Sequence, residues 1–185
     1  MNMMLTEDEK EYLLKLARET ISNALNRLPE PVVNPAVLSL NLREQGASFV
    51  TLTRHGELRG CIGRLEAHQS LAVDVREHAY QAAFEDYRFP PLTKAELPEL
   101  KIEISRLTPP VELNYDTPGD LAQVLTPGVD GVILQDGYRR ATFLPQVWEQ
   151  LPRAETFLAH LCAKMGSPSD AWKHKMLKVK TYRVE

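Results

Sequence analysis

The dipeptide Asp136-Gly137 joins two runs, Val132-Ile133-Leu134-Gln135 and Tyr138-Arg139-Arg140-Ala141-Thr142-Phe143. Both runs are rich in β-branched, aliphatic and aromatic side chains, and an Asp-Gly pair supplies the positive φ angles of a type I′ turn. This stretch is therefore predicted to fold back on itself as an antiparallel hairpin. A second return is predicted at His55-Gly56, between Ser48-Phe49-Val50-Thr51-Leu52-Thr53 and Glu57-Leu58-Arg59-Gly60-Cys61-Ile62-Gly63. Residues 101–107 and 177–182 alternate as two further strands. The strands come as hairpins and isolated ribbons rather than as regular strand–helix–strand units. The sequence thus predicts an α+β fold, mainly antiparallel sheet with flanking helices.

The helices carry their own start and stop signals. Thr6-Glu7-Asp8-Glu9 is a capping box, followed by Leu13, Leu16, Ala17, Thr20, Ile21, Ala24 and Leu25 at helical spacing, with Pro29 and Pro31 as the stop. Ser70 caps a helix that ends near Phe84, ahead of Pro90-Pro91. Thr93-Lys94-Ala95-Glu96 is a second capping box, expected to open one short turn before Pro98. Pro145 opens a short helix, and Phe157, Leu158, Leu161, Cys162 and Met165 form the buried stripe of another, capped by Gly166.

A chain of 185 residues, 43% hydrophobic and 25% charged, has the material for one well-packed domain with room for two lobes. Its formal charge of -3 offers no large field for nucleic acid, and Tyr12, Tyr80 and Tyr182 form no stacking platform. Nucleic acid is therefore the least expected partner. Two distant cysteines make no disulfide scaffold, and neither they nor the five histidines show metal-ligand spacing. No GxSxG, P-loop or GxGxxG motif is present. Hence no metal or cofactor is expected. The start lacks a signal peptide, and no apolar run reaches the length of a membrane span. The expectation is a cytoplasmic protein without membrane attachment, in a reducing compartment.

Candidate chemistry centres on the first hairpin. Strict alternation puts Arg59, Cys61 and Gly63 on one face and Leu58, Gly60 and Ile62 on the other. Glycines beside a cysteine allow backbone or ligand to come close, and Arg59 would favour the thiolate. Cys61 is thus a candidate nucleophile; the alternative is a small apolar residue in a tight sheet. Cys162, on an apolar helical stripe, is expected to be structural. In the loop Asp86-Tyr87-Arg88-Phe89-Pro90-Pro91, Arg88 is available for an anion, or else pairs with Asp86 to shape the loop. Glu103 and Ser105 share a strand face, where they would serve as base and hydrogen-bond donor or simply be solvated. The candidates are therefore Cys61 and Glu103 for chemistry, with Arg59, Gly60, Gly63, Asp86, Arg88 and Ser105 for binding a small molecule.

Leu58-Arg59-Gly60-Cys61-Ile62-Gly63 resembles the hallmark of the AMMECR-domain family, known in prokaryotes as AmmeMemoRadiSam system protein A. Phe49-Val50-Thr51-Leu52, Asp86-Tyr87-Arg88-Phe89-Pro90-Pro91, Ile102-Glu103-Ile104-Ser105-Arg106-Leu107, Gly128-Val129-Asp130-Gly131-Val132 and Phe143-Leu144-Pro145-Gln146-Val147-Trp148 extend the likeness along nearly the whole chain. Lys164-Met165-Gly166-Ser167 departs from the Lys-Ala-Gly-Leu type sequence usual there, at a helix end. The resemblance implies two unequal lobes within one domain, residues 1–185, with a cleft between them and both termini in the larger. It also implies association with a Memo-type protein and a radical S-adenosylmethionine enzyme. It supplies no reaction. Two functions follow as expectations: a thiol-dependent enzyme or ligand-processing protein using Cys61, or a non-catalytic adaptor or substrate-presenting module for the same partners.

Overall fold

The structure, a computed structural model, describes residues 4–185. It divides into two compact units, one running through Leu107 and including Glu185, the other Thr108–Val184.

The first unit opens with α1 (Glu7–Leu25), whose capping box forms as predicted: the Glu9 N–H donates to Thr6 Oγ1 at 3.3 Å and the Thr6 N–H to Glu9 Oε2 at 2.8 Å. The helix buries Leu13, Leu16, Ala17 and Ile21. A short helix, α2 (Leu40–Arg43), leads into β1 (Gln45–Arg54). Then come β2 (Glu57–Gly63), β3 (Gln69–Ser70), α3 (Leu71–Phe84), a 3-10 turn (Lys94–Glu99) and β4 (Leu100–Leu107). Strand β1 is the spine of the sheet and pairs antiparallel with β2, β3 and β4. The turn between β1 and β2 has φ of 53° at His55 and 84° at Gly56, the signature of a type I′ loop. Val50 and Leu52 of β1 and Leu71, Val75, Ala79 and Ala82 of α3 lie in one core with the buried stripe of α1. The last residue belongs to this unit: Glu185 exchanges backbone hydrogen bonds with Arg106 at 2.9 Å, and the two side chains pair at 2.6 Å.

Two expectations change at the turns. Pro98 lies within the 3-10 turn rather than ending it, because the cap hydrogen bond, Leu100 N–H to Leu97 C=O, does not need the N–H that proline lacks. In the second unit the hairpin of β6 (Gly131–Asp136) and β7 (Arg139–Phe143) pairs Asp136 with Arg139. Its two-residue loop is therefore Gly137-Tyr138, and only Gly137 has positive φ, 60°. This is the type II′ pattern rather than type I′, since Asp136 is used as the last ladder residue.

The second unit also contains β5 (Val111–Glu112), α4 (Leu121–Val124), α5 (Ala154–Lys164), α6 (Ala171–His174) and β8 (Lys178–Tyr182). Its sheet runs β5-β8-β6-β7, antiparallel throughout. Its core forms on one face of the sheet around Phe157, Leu158 and Leu161, with the Trp148 ring stacked 3.7 Å from that of Phe157. Cys162 is fully buried there, and burial raises its thiol pKa, which suits the structural role expected for it.

Gly60 marks the tightest contact of β2 with α3. A Cβ at this position would lie 2.1 Å from the Ala82 carbonyl oxygen, a backbone atom that cannot swing aside. Gly60→Ala should therefore destabilise the protein by at least about 2 kcal/mol. Gly119→Ala, with nothing within 4 Å of the added atom, should change stability by less than about 0.5 kcal/mol. Urea denaturation followed by circular dichroism tests both, and an unchanged midpoint for Gly60→Ala would contradict the contact.

Candidate functional site

The ladder of β2 on β1 is irregular. Leu52 pairs with Gly60 but Thr53 pairs with Leu58, so Arg59 is the extra residue of a bulge. The bulge breaks the alternation predicted for this strand. Leu58 shares its face with Cys61 and Gly63 instead of with Gly60 and Ile62, since it now stands opposite Thr53 while they stand opposite Thr51 and Phe49. Arg59 leaves the ladder: its Nε donates to Glu96 Oε1 at 2.7 Å and its Nη2 to the Pro90 carbonyl at 2.9 Å.

Strand β2 lies at the edge of the sheet, so its outer backbone groups need partners. At Cys61 those partners come from one loop. Asp86 Oδ2 accepts the Cys61 N–H at 2.9 Å, and Arg88 Nη2 donates to the Cys61 carbonyl at 3.2 Å. The two side chains are locked to each other, Arg88 Nε to Asp86 Oδ1 at 2.9 Å and Nη2 to Oδ2 at 2.7 Å. The Asp86–Arg88 pair thus stands in for a neighbouring strand. The Arg88 hydrogen bonds, with those from the Cys61 and Arg88 N–H groups, hold the Asp86 carboxyl far below the usual carboxylate range against the opposing effect of burial. The loop closes where the Leu92 N–H meets the Ala83 carbonyl at 2.8 Å, and the Phe89 ring centroid lies 6.0 Å from the Arg59 guanidinium and 5.5 Å from that of Arg88.

The sheet register decides what else reaches Cys61. Cys61, Thr51 and Glu103 form one row across β2, β1 and β4; Gly63, Phe49 and Ser105 form the next. All six residues therefore share one face. Cys61 Sγ lies 3.3 Å from Thr51 Oγ1. Glu103 is two strands from Cys61, about 10 Å at ordinary strand spacing, beyond direct proton transfer. Ser105 is buried and Glu103 exposed. Both arginines expected to bind an anion are engaged by carboxylates of the chain itself, Arg59 by Glu96 and Arg88 by Asp86. The glycines serve packing. A Cβ on Gly63 would fall 2.4 Å from the Phe49 ring and the Ser48 carbonyl.

A second polar cluster went unread in the sequence. Asp74, in the first turn of α3, is fully buried. It accepts from the Ser48 hydroxyl at 2.7 Å and the Ser48 N–H at 2.9 Å, and it faces His78 Nδ1 at 3.1 Å. Arg64 Nε donates to His78 Nε2 at 3.1 Å, so that nitrogen accepts and Nδ1 carries the proton toward Asp74. The Ser-His-Asp trio is not a hydrolytic triad: Ser48 is buried and bonded to the carboxylate, and the nitrogen that would act as base is occupied by Arg64. It ties α3 to β1. The sequence signal was faint, because Asp74 and His78 four apart on a helix look like a first-turn acid and a core residue.

The likeness noted in the sequence is borne out at this point. A family model described as AMMECR1 matches residues 14–185. The chain belongs to the AMMECR1 family. A protein from Methanothermobacter thermautotrophicus is 39% identical over 178 residues, covering 91% of this chain and 88% of that one. A protein from Thermofilum pendens is 36% identical over 198 residues, covering 98% and 90%. The crystal structure of protein PH0010 from Pyrococcus horikoshii is similar to this AMMECR1-family chain with a TM-score of 0.78 at 33% identity, over 98% of this chain and 91% of that one. Among the described residues no helix is long and apolar enough to cross a membrane, and no group of three or more His, Cys, Asp and Glu side chains is arranged to hold a metal ion.

The Arg59–Glu96 pair gives the site a pH signature. The Arg59 hydrogen bond, helped by those from Thr93, lowers the Glu96 carboxyl from 4.5 to about 2. The unfolded chain therefore takes up this proton before the folded one does. The stabilisation from Glu96 is complete above about pH 4.5 and is lost as pH falls towards 2. Glu96→Gln should cost about 2 kcal/mol at pH 7. That deficit should shrink as pH falls through the same window, in urea titrations run at several pH values. A pH-independent deficit would rule out the pairing as its source.

Proposed function

We propose that this chain is a non-catalytic binding module, an adaptor or substrate-presenting subunit that works with a Memo-type protein and a radical S-adenosylmethionine enzyme. The observation that carries this reading is the loop after α3. It is pinned to β2 through Asp86, Arg88 and Arg59, yet it presents Tyr87 with 95% of its surface exposed. A rigid loop that projects an aromatic ring binds at low entropic cost, and tyrosine is enriched among residues that dominate interfaces. Leu58, exposed on the neighbouring strand, adds apolar surface. The separation of Cys61 from Glu103, and the engagement of both arginines, count against concerted thiol chemistry.

A thiol-dependent enzyme is the second reading, favoured by one contact: the half-buried Cys61 Sγ lies beside the Thr51 hydroxyl on a sheet face. Cys61→Ser separates the two. On the binding reading, the variant keeps both the pathway output and co-purification with the Memo-type and radical proteins. Loss of output with the fold and the complex intact would favour the thiol. On the binding reading, Tyr87→Ala should weaken partner capture at least tenfold with an unchanged melting temperature. Capture at wild-type strength would remove the loop from the interface.

A further inference from the structure

The second unit carries a separate concavity on the sheet face turned away from its core. Val132, Leu134, Ala141 and Val179 point into the core, so their alternating neighbours line the opposite face. There Arg140, Gln135 and Lys178 form one row, and Thr142, Ile133, Lys180 and Glu112 the next. A groove of about 440 Å³ opens over these rows, the size of a pocket for a small organic molecule.

Three features of the groove point to an anionic ligand with a flat body. First, its lining sets three cations, Arg140, Lys178 and Lys180, against one carboxylate, Glu112. Lys178 and Lys180 are exposed and have no ion-pair or hydrogen-bond partner among the described residues. The like charges of these two lysines on one concavity repel each other, and an anion placed there would relieve that repulsion and be drawn in by their field. Second, one apolar side chain lies at its base: Ile133 is on this outer face yet is only 4% exposed. Third, Tyr115 forms a fixed wall. Its hydroxyl donates to the Leu177 carbonyl and accepts from the Leu177 N–H, both at 2.8 Å. Such a ring offers a planar group something to stack on without first losing rotamer freedom. Met176, half-exposed beside it, adds a soft apolar contact.

We infer that this groove binds a small phosphorylated molecule with a planar body, of nucleoside-diphosphate size, its phosphates between Lys178, Lys180 and Arg140 and its ring against Tyr115. The site is independent of the Tyr87 loop and does not rest on the reading of that loop as a docking surface. Calorimetric titration of the full chain with ADP tests it, with pyrophosphate and a single-stranded oligonucleotide as separate arms. The expected result is saturable ADP binding that weakens at least tenfold in Lys178→Gln and in Lys180→Gln, and further in the double variant. Lys101→Gln, an exposed lysine on β4 of the first unit, should bind as wild type. Both groove lysines are exposed, so circular dichroism and melting temperature should be unchanged and the loss assignable to the ligand. Absence of ADP binding at millimolar concentration, or binding indifferent to the double variant, overturns the site. Pyrophosphate binding as tight as ADP overturns the role of the Tyr115 wall, and tighter binding of the oligonucleotide overturns the choice of a small molecule.

Discussion

The backbone of Cys61 is where the first unit is fastened together. It lies on an edge strand, and an edge strand with unpaired N–H and C=O groups invites mispairing. Asp86 and Arg88 close that edge from a loop, one accepting and one donating, while their own two-pronged pair fixes the geometry of both. The arrangement requires α3 to end close against β2. Gly60 allows that approach, because any side chain there would strike the Ala82 carbonyl. The bulge at Arg59 then frees a guanidinium to anchor the far side of the loop through Glu96 and Pro90.

These constraints recast the chemistry of the hairpin. Its polar residues are mostly occupied in holding the loop, and the thiol has a hydroxyl for company rather than a base. The buried Ser48–Asp74–His78–Arg64 cluster shows the same economy. Groups that would be reactive in an open pocket are saturated by one another and hold a helix to a sheet. What the described residues leave at the surface is an exposed tyrosine on the loop of one unit and, in the other, Lys178 and Lys180, which have no ion-pair partner among the described residues and lie around Ile133.

Much of this molecule was legible in the sequence, because many of its determinants are local. Capping boxes at Thr6 and Thr93, glycine at helix and hairpin turns, and alternation in β4 act over a few residues, and each appears in the structure. The α+β class with antiparallel pairing followed from hairpins, and the family from motifs spread along the chain. Short elements such as α2, α4, α6, β3 and β5 were not legible, since two to four residues carry no periodicity of their own.

Register and partnership were decided only by the tertiary structure. The sequence placed Cys61 between two glycines, but a one-residue bulge determined that Leu58, not Arg59, stands with it in the ladder. The sequence offered Asp86 and Arg88 as either a binding wall or an internal pair; long-range contact with the Cys61 backbone made them a substitute strand. Alternation set Glu103 and Ser105 on one face, and cross-strand pairing put them in successive rows two strands from the hairpin. The physical reason is the same in each case. Periodicity and turn chemistry act between neighbours in the chain, whereas hydrogen-bond partners on an edge strand are supplied by residues that only folding brings near.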